Sequence, residues 1–196
     1  GILCSATHHL AMQLDKAEAR GQPLEVAIVL GASQATLMAT QWEAPYGVDE
    51  LTLAGALHGQ PLDVVKCQTV DLEVPASAEI VIEGRILPKV REMEGPFGEY
   101  TGYYTDTSPK PVIEVTAITH RRDAIYLALL TGVPTTENHI IKMIPLEASY
   151  YTMLKGRFPG VKAVHFPGAG GVGLMAVVSM RQLIKYEARS VIMAVA

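Results

Sequence analysis

The sequence predicts an α+β protein in which an antiparallel sheet or barrel, flanked by helices, is followed by part of an α/β unit. Three observations predict this class. Helical periodicity runs through residues 7–57, runs rich in Val, Ile, Thr and Tyr follow in residues 63–130, and a second helical pattern with further strands begins after residue 131. Of the 196 residues 49% are hydrophobic, so the chain can bury a sizeable core.

The first part of the chain is predicted to be mainly helical. Apolar residues recur every three or four positions between residues 7 and 20, and Gly21 is a natural helix end. A short buried strand is expected at residues 25–30. Ser33 is placed to cap a second helix through Ala39, and Asp49 a third helix to about Leu57.

The middle and final parts combine strands with one long irregular stretch. Strands are expected at residues 63–69, 79–86, 112–121, 125–130, 161–166, 174–180 and 190–196, and a helix over the 146–154 region. The irregular stretch, residues 87–111, is about 25 residues long, and connections of that length inside compact domains are usually functional. We expect a domain boundary near residues 131–136.

Composition and charge exclude several classes of protein. The formal net charge is -4 and the charges are scattered, which disfavours a nucleic-acid partner. No apolar run approaches the ~20 residues of a membrane-spanning helix. The two cysteines, Cys4 and Cys67, cannot frame a disulfide scaffold and favour a reducing compartment such as the cytoplasm. Because residue 1 is Gly and the chain stops within an apolar run, we expect an excised piece of a longer protein.

The sharpest chemical signal is the segment Glu94-Gly95-Pro96-Phe97-Gly98-Glu99. Two carboxylates flank a bend whose glycines allow close approach of the backbone to a ligand, so both acids can point into one cavity. A carboxyl held in apolar surroundings favours its neutral form, as a general acid near neutral pH requires. Two solvated loop glutamates are the alternative that the spacing leaves open.

His8, His9 and Glu50 are a second candidate set. Consecutive helical residues point about 100° apart, so His8 and His9 do not readily bind one metal together. One of them could join Glu50 and a third group around Mn²⁺, Mg²⁺ or Zn²⁺. A histidine pair at the surface of a helix start is the alternative.

The segment Gly168–Gly170 opens a G-x-G-x-x-G match that ends at Gly173. A dinucleotide site also needs a helix opening at the third glycine and an acid about 20 residues later. Here the following residues favour a strand and position 193 is methionine, so the pattern indicates a loop. His120, His139 and His165 receive no functional role.

Residues 94–104, Glu-Gly-Pro-Phe-Gly-Glu-Tyr-Thr-Gly-Tyr-Tyr, together with residues 74–84, strongly resemble the UbiD family of reversible decarboxylases. The similarity extends over nearly the whole chain, including residues 26–31, 49–57 and 158–161. It implies prenylated FMN as cofactor, with Mn²⁺ and K⁺ as accompanying ions. It also implies an FMN-binding-like split β-barrel in residues 1–133, and in residues 134–196 the start of a C-terminal α/β domain used in homo-oligomer contacts.

The resemblance also implies an activity and two catalytic residues. The substrate is expected to be a small aromatic or α,β-unsaturated carboxylic acid that loses CO₂ or, in reverse, gains it. Glu94 corresponds to the family glutamate that shares a proton network with an arginine. Glu99 corresponds to the glutamate that delivers the proton replacing CO₂.

Metal and flavin contacts follow from the same correspondence. Glu50 matches the carboxylate ligand of the Mn²⁺ that anchors the cofactor phosphate. His9 matches the histidine ligand, and His8 is the fallback and otherwise a phosphate-side, cofactor-binding neighbour. Thr40 and Trp42 fall where the family lines the flavin; Trp42 could also half cover a core edge.

One departure from the family is serious. The catalytic arginine and an asparagine metal ligand precede the metal histidine in the family, and neither is present in the eight residues before His9. We therefore expect this piece alone to be inactive and to bind cofactor weakly. A non-catalytic flavin-binding module and an oligomerisation module are the rival interpretations.

Overall fold

The structure is a computed structural model that describes residues 9–42, 46–133 and 135–195. The chain forms two compact units that interleave along the sequence: Gly1–Gln34, His58–Phe97 and Tyr104–Ala128 in the first, and Ala35–Leu57, Gly98–Tyr103 and Leu129–Ala196 in the second. Helices combine with small antiparallel sheets, which confirms the mixed character of the predicted fold. The sheets found in the described ranges do not close into a barrel.

In the part of the first unit that the structure describes there are one helix and five strands: α1 (His9–Ala19), β1 (Leu24–Leu30), β2 (Val64–Lys66), β3 (Glu73–Pro75), β4 (Ile80–Glu94) and β5 (Ser108–His120). Strands β1, β4 and β5 form an antiparallel sheet with β4 in the centre, and β2 pairs with β3. Val74, Ala78 and Val81 form the buried core of this unit, with Ala27 and Val29 of β1 packed against them. Burial alternates at the start of β4, and Val81 is the residue of this strand that joins that core.

The β4–β5 hairpin is longer than predicted, and this corrects the irregular stretch assigned to residues 87–111. Pairing breaks between Ile86 and Arg91 and then resumes as far as Glu94, which lies opposite Ser108. The break accommodates Pro88 and the left-handed backbone of Lys89. Prolines 109 and 111 are tolerated because β5 is an edge strand of this sheet, where a missing N–H donor breaks no ladder.

The strand predicted at residues 125–130 is wrong. Within the described chain these residues pair with no strand, and Ile125 and Leu130 are 73% and 66% exposed. An apolar run favours a strand, but a strand also needs a partner strand beside it, which the sequence of the run does not supply.

Within the described residues, the second unit contains four α-helices, two strands and the short 3₁₀ helix Gly168–Gly170. The α-helices and strands are α2 (Gln34–Ala39), α3 (Glu50–His58), α4 (Glu137–Arg157), β6 (Val161–His165), β7 (Val177–Met180) and α5 (Glu187–Val195). The first residue of α2 and the last of α3 fall in the first unit. Asp49 caps α3 as predicted, accepting the Leu51 N–H at 2.9 Å. The core joins α4, β6 and α5 through Leu154, Val161 and Val191.

The last predicted strand, residues 190–196, is also wrong, because the chain forms α5 there. Glu187 and Val191, four residues apart, are buried, whereas Ile192 and Met193 are exposed. That spacing is helical, and the continuous apolar letters of this segment concealed it. Among the helices of the described residues, none is both long enough and apolar enough to cross a membrane.

Candidate functional site

The two predicted catalytic carboxylates lie at the end of the β4–β5 hairpin. Glu94 is the last residue of β4 and is exposed. The chain leaves the ladder at Gly95, whose φ is +110° and where a Cβ would lie 3.0 Å from the Asp106 carbonyl oxygen. Only glycine suits such a backbone at so close an approach. Glu94 therefore ends a paired strand rather than lying within a free loop.

Beyond Gly95, the Gly-Pro-Phe-Gly segment continues the hairpin instead of reversing the chain, which corrects the predicted bend. The Phe97 N–H donates to Thr105 Oγ1 at 3.1 Å, and the Thr105 N–H donates to the Phe97 carbonyl at 2.8 Å. These two bonds keep the arms of the hairpin together between the ladder and its tip. The tip is thus carried on a hydrogen-bonded stem.

The reversal itself occurs at Glu99–Gly102, within the second unit. The Glu99 N–H donates to the Tyr103 carbonyl and the Gly102 N–H to the Glu99 carbonyl, both at 2.9 Å. Gly102 has a φ of +84°, as a turn of this kind requires. Glu99 is half-buried and begins the turn, so it remains partly exposed to solvent. Glu94 and Glu99 belong to different compact units.

The two predicted metal ligands each begin a helix. His9 is the first residue of α1 in the first unit, and Glu50 is the first residue of α3 in the second; both are half-buried. Across the described ranges, no three side chains of His, Cys, Asp or Glu come together as a metal-binding group. The donor set described here therefore does not by itself complete a metal site.

The predicted flavin neighbours follow α2. Thr40 is exposed, and its hydroxyl donates to the Leu37 carbonyl at 2.8 Å. The Trp42 N–H donates to the Ala39 carbonyl at 3.1 Å, and the residue is half-buried. Both lie in the second unit, within one helical turn of the end of α2. His8, the other predicted cofactor neighbour, lies outside the described residues, as does Cys4.

A buried carboxylate that the sequence reasoning missed is Glu83 in the middle of β4, 1% exposed. It accepts the N–H groups of Gln68 and Thr69 at 2.8 and 2.6 Å and the Thr69 hydroxyl at 2.7 Å. Burial acts to raise the pKa of this carboxyl, but hydrogen bonds from Gln68, Thr69 and Val70 outweigh it and hold the pKa below its ordinary value. The feature of the sequence that could have indicated this role is a charged residue, Glu83, within the apolar run of β4.

Cys67, beside this carboxylate, is a free and half-buried thiol. Burial raises the pKa of the thiol, and the negative charge of Glu83 raises it further. The protonated form is therefore favoured, which makes Cys67 a poor nucleophile. Glu83 and Cys67 form a structural region of the first unit, distinct from the hairpin tip.

Comparison with protein families matches both parts of the chain. Residues 1–134 match a family model described as the 3-octaprenyl-4-hydroxybenzoate carboxy-lyase Rift-related domain. Residues 139–196 match the 3-octaprenyl-4-hydroxybenzoate carboxy-lyase C-terminal domain. Together these matches cover nearly the whole sequence.

Three relatives illustrate the similarity. Anhydromevalonate phosphate decarboxylase of Methanothermobacter thermautotrophicus is 40% identical over 186 residues, 95% of this chain and 43% of that protein. An evolved dimeric form of the UbiD-class enzyme HmfF from Pelotomaculum thermopropionicum, solved with prFMN, is 46% identical with a TM-score of 0.90, over 100% of this chain and 45% of that one. Closed vanillic acid decarboxylase of Sedimentibacter hydroxybenzoicus is 35% identical with a TM-score of 0.90, over 98% and 40%. The chain thus spans about two fifths of the length of each relative.

Proposed function

This chain belongs to the UbiD family of carboxy-lyases, and on that premise we propose that it is the cofactor-binding and proton-donating region of a decarboxylase. The complete protein would reversibly remove CO₂ from an aromatic or α,β-unsaturated carboxylic acid, using prenylated FMN. The names of the relatives support this reaction class, since two of them are decarboxylases and the third, a UbiD-class enzyme, was solved with prFMN.

The observation that carries the proposal is the position of Glu99 at the tip of a hydrogen-bonded hairpin. Loss of CO₂ leaves an electron pair on carbon, and prenylated FMN, when bound, supplies the electron sink for it. Glu99 would then donate a proton to that carbon. A half-buried carboxyl suits this role, because it can be held near a substrate and still regain its proton from solvent between turnovers.

Glu94 would support Glu99 from the end of β4. In this proposal its carboxylate pairs with an arginine supplied by sequence outside these 196 residues, and the two glutamates titrate as a coupled pair. The closeness of the two glutamates in the sequence supports this assignment.

We also propose that His9 and Glu50 are ligands of Mn²⁺, with the remaining ligands, and K⁺, bound with help from the rest of the protein. An imidazole and a carboxylate suit an ion of this hardness. Since a metal site that lacks part of its ligand set loses affinity, we expect this chain alone to hold the ion poorly. His8, Thr40 and Trp42 would line the flavin.

The same proposal divides the chain into a split-barrel domain, residues 1–133, and the start of an α/β oligomerisation domain, residues 134–196. The two family models match on either side of this boundary, which supports the division. The complete protein would be a homo-oligomer, and the low cysteine count supports a reducing compartment such as the cytoplasm.

The test uses the complete gene product, produced with a source of prenylated FMN and Mn²⁺ and screened with carboxylic acids for CO₂ release. We expect cofactor-dependent release with at least one aromatic or α,β-unsaturated acid. Glu99→Gln, which keeps the shape but has no acidic proton, should lower kcat by about 10²- to 10⁴-fold.

Two results would contradict the proposal. Cofactor binding without CO₂ release from any acid would favour the non-catalytic flavin-binding interpretation. Full activity in Glu99→Gln would remove the proton-donor role. The 196-residue chain alone, loaded in the same way, should show no turnover.

A further inference from the structure

Tyr100, the residue that follows Glu99, occupies the second position of the Glu99–Gly102 turn. Unlike the exposed Tyr103 and Tyr104, it is half-buried. Its ring lies edge-to-face against His139, with ring centroids 5.8 Å apart and planes at 66°. This geometry is a favourable one for aromatic pairs. The turn that carries Glu99 is therefore attached to the rest of the second unit through the neighbouring side chain.

His139 is a fixed surface for that contact. It is 3% exposed and lies in the first turn of the 21-residue helix α4. Its Nδ1 accepts the Thr136 N–H at 3.3 Å and lies 2.8 Å from the Thr136 hydroxyl, which completes a capping box. The orientation of the ring is thus set by the start of the helix.

Gly171 contacts the same tyrosine from the glycine-rich segment. It ends the 3₁₀ turn Gly168–Gly170 with a φ of +61°, and its N–H donates to the Gly168 carbonyl at 2.9 Å. A Cβ on Gly171 would lie 2.8 Å from Cε2 and 3.2 Å from Cδ2 of Tyr100. The first of these distances is too short for a side chain to fit without displacing the ring.

We propose that Tyr100 is a positioning residue, whose ring, held against His139 and Gly171, fixes the turn that presents Glu99. The inference rests on the proposed function, in which Glu99 is the proton donor. It also gives the glycine-rich segment a role. The G-x-G-x-x-G residues do not open a helix of the nucleotide-binding type, and Gly171 among them packs against the Tyr100 ring. All the residues of this contact lie in the second unit.

The physical reason is the sensitivity of proton transfer to distance. A turn held only by its two backbone hydrogen bonds would leave the side chain of Glu99 free to change position. A displacement of about 1 Å at a catalytic group can cost on the order of 10²-fold in rate. The contact of Tyr100 with His139 restricts this movement, because Tyr100 is the residue next to Glu99.

The test compares four variants of the complete gene product. Tyr100→Ala removes the ring, and Tyr100→Phe keeps it. Gly171→Ala places a methyl against the ring, and Gly21→Ala is its matched control, because Gly21 has a similar φ of +65° and no heavy atom within 4 Å of the added Cβ. The measurements are kcat, KM, the solvent deuterium isotope effect on kcat, and amide hydrogen exchange over residues 97–105 without cofactor.

We expect Tyr100→Ala to lower kcat about 10- to 100-fold with little change in KM, because the acid is displaced but substrate binding is kept. Its solvent isotope effect should rise as proton delivery becomes slower than the other steps. Exchange over residues 97–105 should speed up while exchange in β6 stays unchanged. Gly171→Ala should act in the same direction, and Tyr100→Phe and Gly21→Ala should match the wild type.

A purely structural role would lower the active fraction without changing the isotope effect, and that result would overturn the inference. Unchanged exchange over residues 97–105 in Gly171→Ala would do the same, and this arm remains decisive if Tyr100→Ala does not fold. Full activity in Glu99→Gln would instead count against the proposed function. The exchange measurements on the cofactor-free protein would still test whether Tyr100 and Gly171 fix the turn.

Discussion

Glu83 and Glu99 are two glutamates of one β-hairpin, and the structure treats them in opposite ways. Glu83 is buried in the stem and accepts hydrogen bonds from Gln68 and Thr69. Glu99 is half-buried at the tip, where its backbone forms the turn and the neighbouring Tyr100 provides the anchor. Hydrogen bonds fix the carboxylate of Glu83 itself. In Glu99 the hydrogen bonds of the turn fix the backbone that carries the carboxylate.

The difference separates a structural acid from a candidate catalytic one. A carboxylate surrounded by donors stays ionised and pays for its burial through those bonds, so it cannot give up a proton near neutral pH. An acid with access to solvent can cycle between its two forms. Burial alone is therefore a poor guide to the functional glutamate in this hairpin.

The largest effect on stability is expected for Glu83→Ala. Removing the carboxylate leaves the N–H groups of Gln68 and Thr69 without their acceptor, which we expect to cost about 2 kcal/mol of unfolding free energy. Glu99→Gln should change that free energy by less than about 0.5 kcal/mol, as surface substitutions generally do. Chemical denaturation of the complete gene product measures both values, with amide exchange at residues 67–71 locating the change.

If Glu83→Ala were as stable as the wild type, the hydrogen-bond network would not hold the first unit as described. If Glu99→Gln were the more destabilised variant, the division between structural and catalytic acids would be reversed.

The contribution of Glu83 to the free energy of unfolding should be lost at acid pH. Its pKa is lowered in the folded protein from an ordinary value of 4.5, because hydrogen bonds outweigh the effect of burial. The unfolded chain then binds the proton more readily, so the stabilisation is fully present above about pH 4.5 and is lost as the pH falls through the lower folded-state pKa. Glu83→Gln should show less of this loss when unfolding is measured between about pH 6 and 3.

A smaller effect is expected for Glu18→Gln at the end of α1. Glu18 pairs with Arg91 at 2.9 Å and accepts the N–H of Lys89, a residue with a φ of +60°. The hydrogen bond from Arg91, followed by that from Lys89, lowers the pKa of this carboxyl. Since Arg91 is partly exposed, we expect a loss of only about 0.5–1 kcal/mol. Thermal unfolding at low and high salt checks it, and a loss as large as that of Glu83→Ala would contradict the ranking.

Much of the fold could be predicted from sequence periodicity. The first three helices, strand β1 and strand β6 lie where the apolar spacing and caps placed them, and Asp49 caps α3 as expected. Two of the failures share one cause. Residues 125–130 and 190–196 are short apolar runs, and such runs do not decide between a strand, a helix and, as in the exposed residues 125–130, neither.

The candidate site was predictable as a set of residue types but not as an arrangement. Two glutamates beside a Gly-Pro-Phe-Gly segment were evident from spacing. The position of the reversal at Glu99–Gly102 was not, because it depends on which backbone groups pair across the hairpin. His139 drew no attention in the sequence, since a lone histidine at a helix start has no distinguishing pattern.

The first helices, the family and the chemical character of the acids could be read from the sequence alone, because periodicity, turn residues and carboxylates act over a few neighbouring positions. Tertiary structure decided which glutamate is buried and which residues contact Tyr100. Those outcomes depend on groups brought together from distant parts of the chain. Glu83 accepts hydrogen bonds from a turn 14 residues away, and the Tyr100 ring packs against residues 139 and 171. No local pattern encodes such pairings.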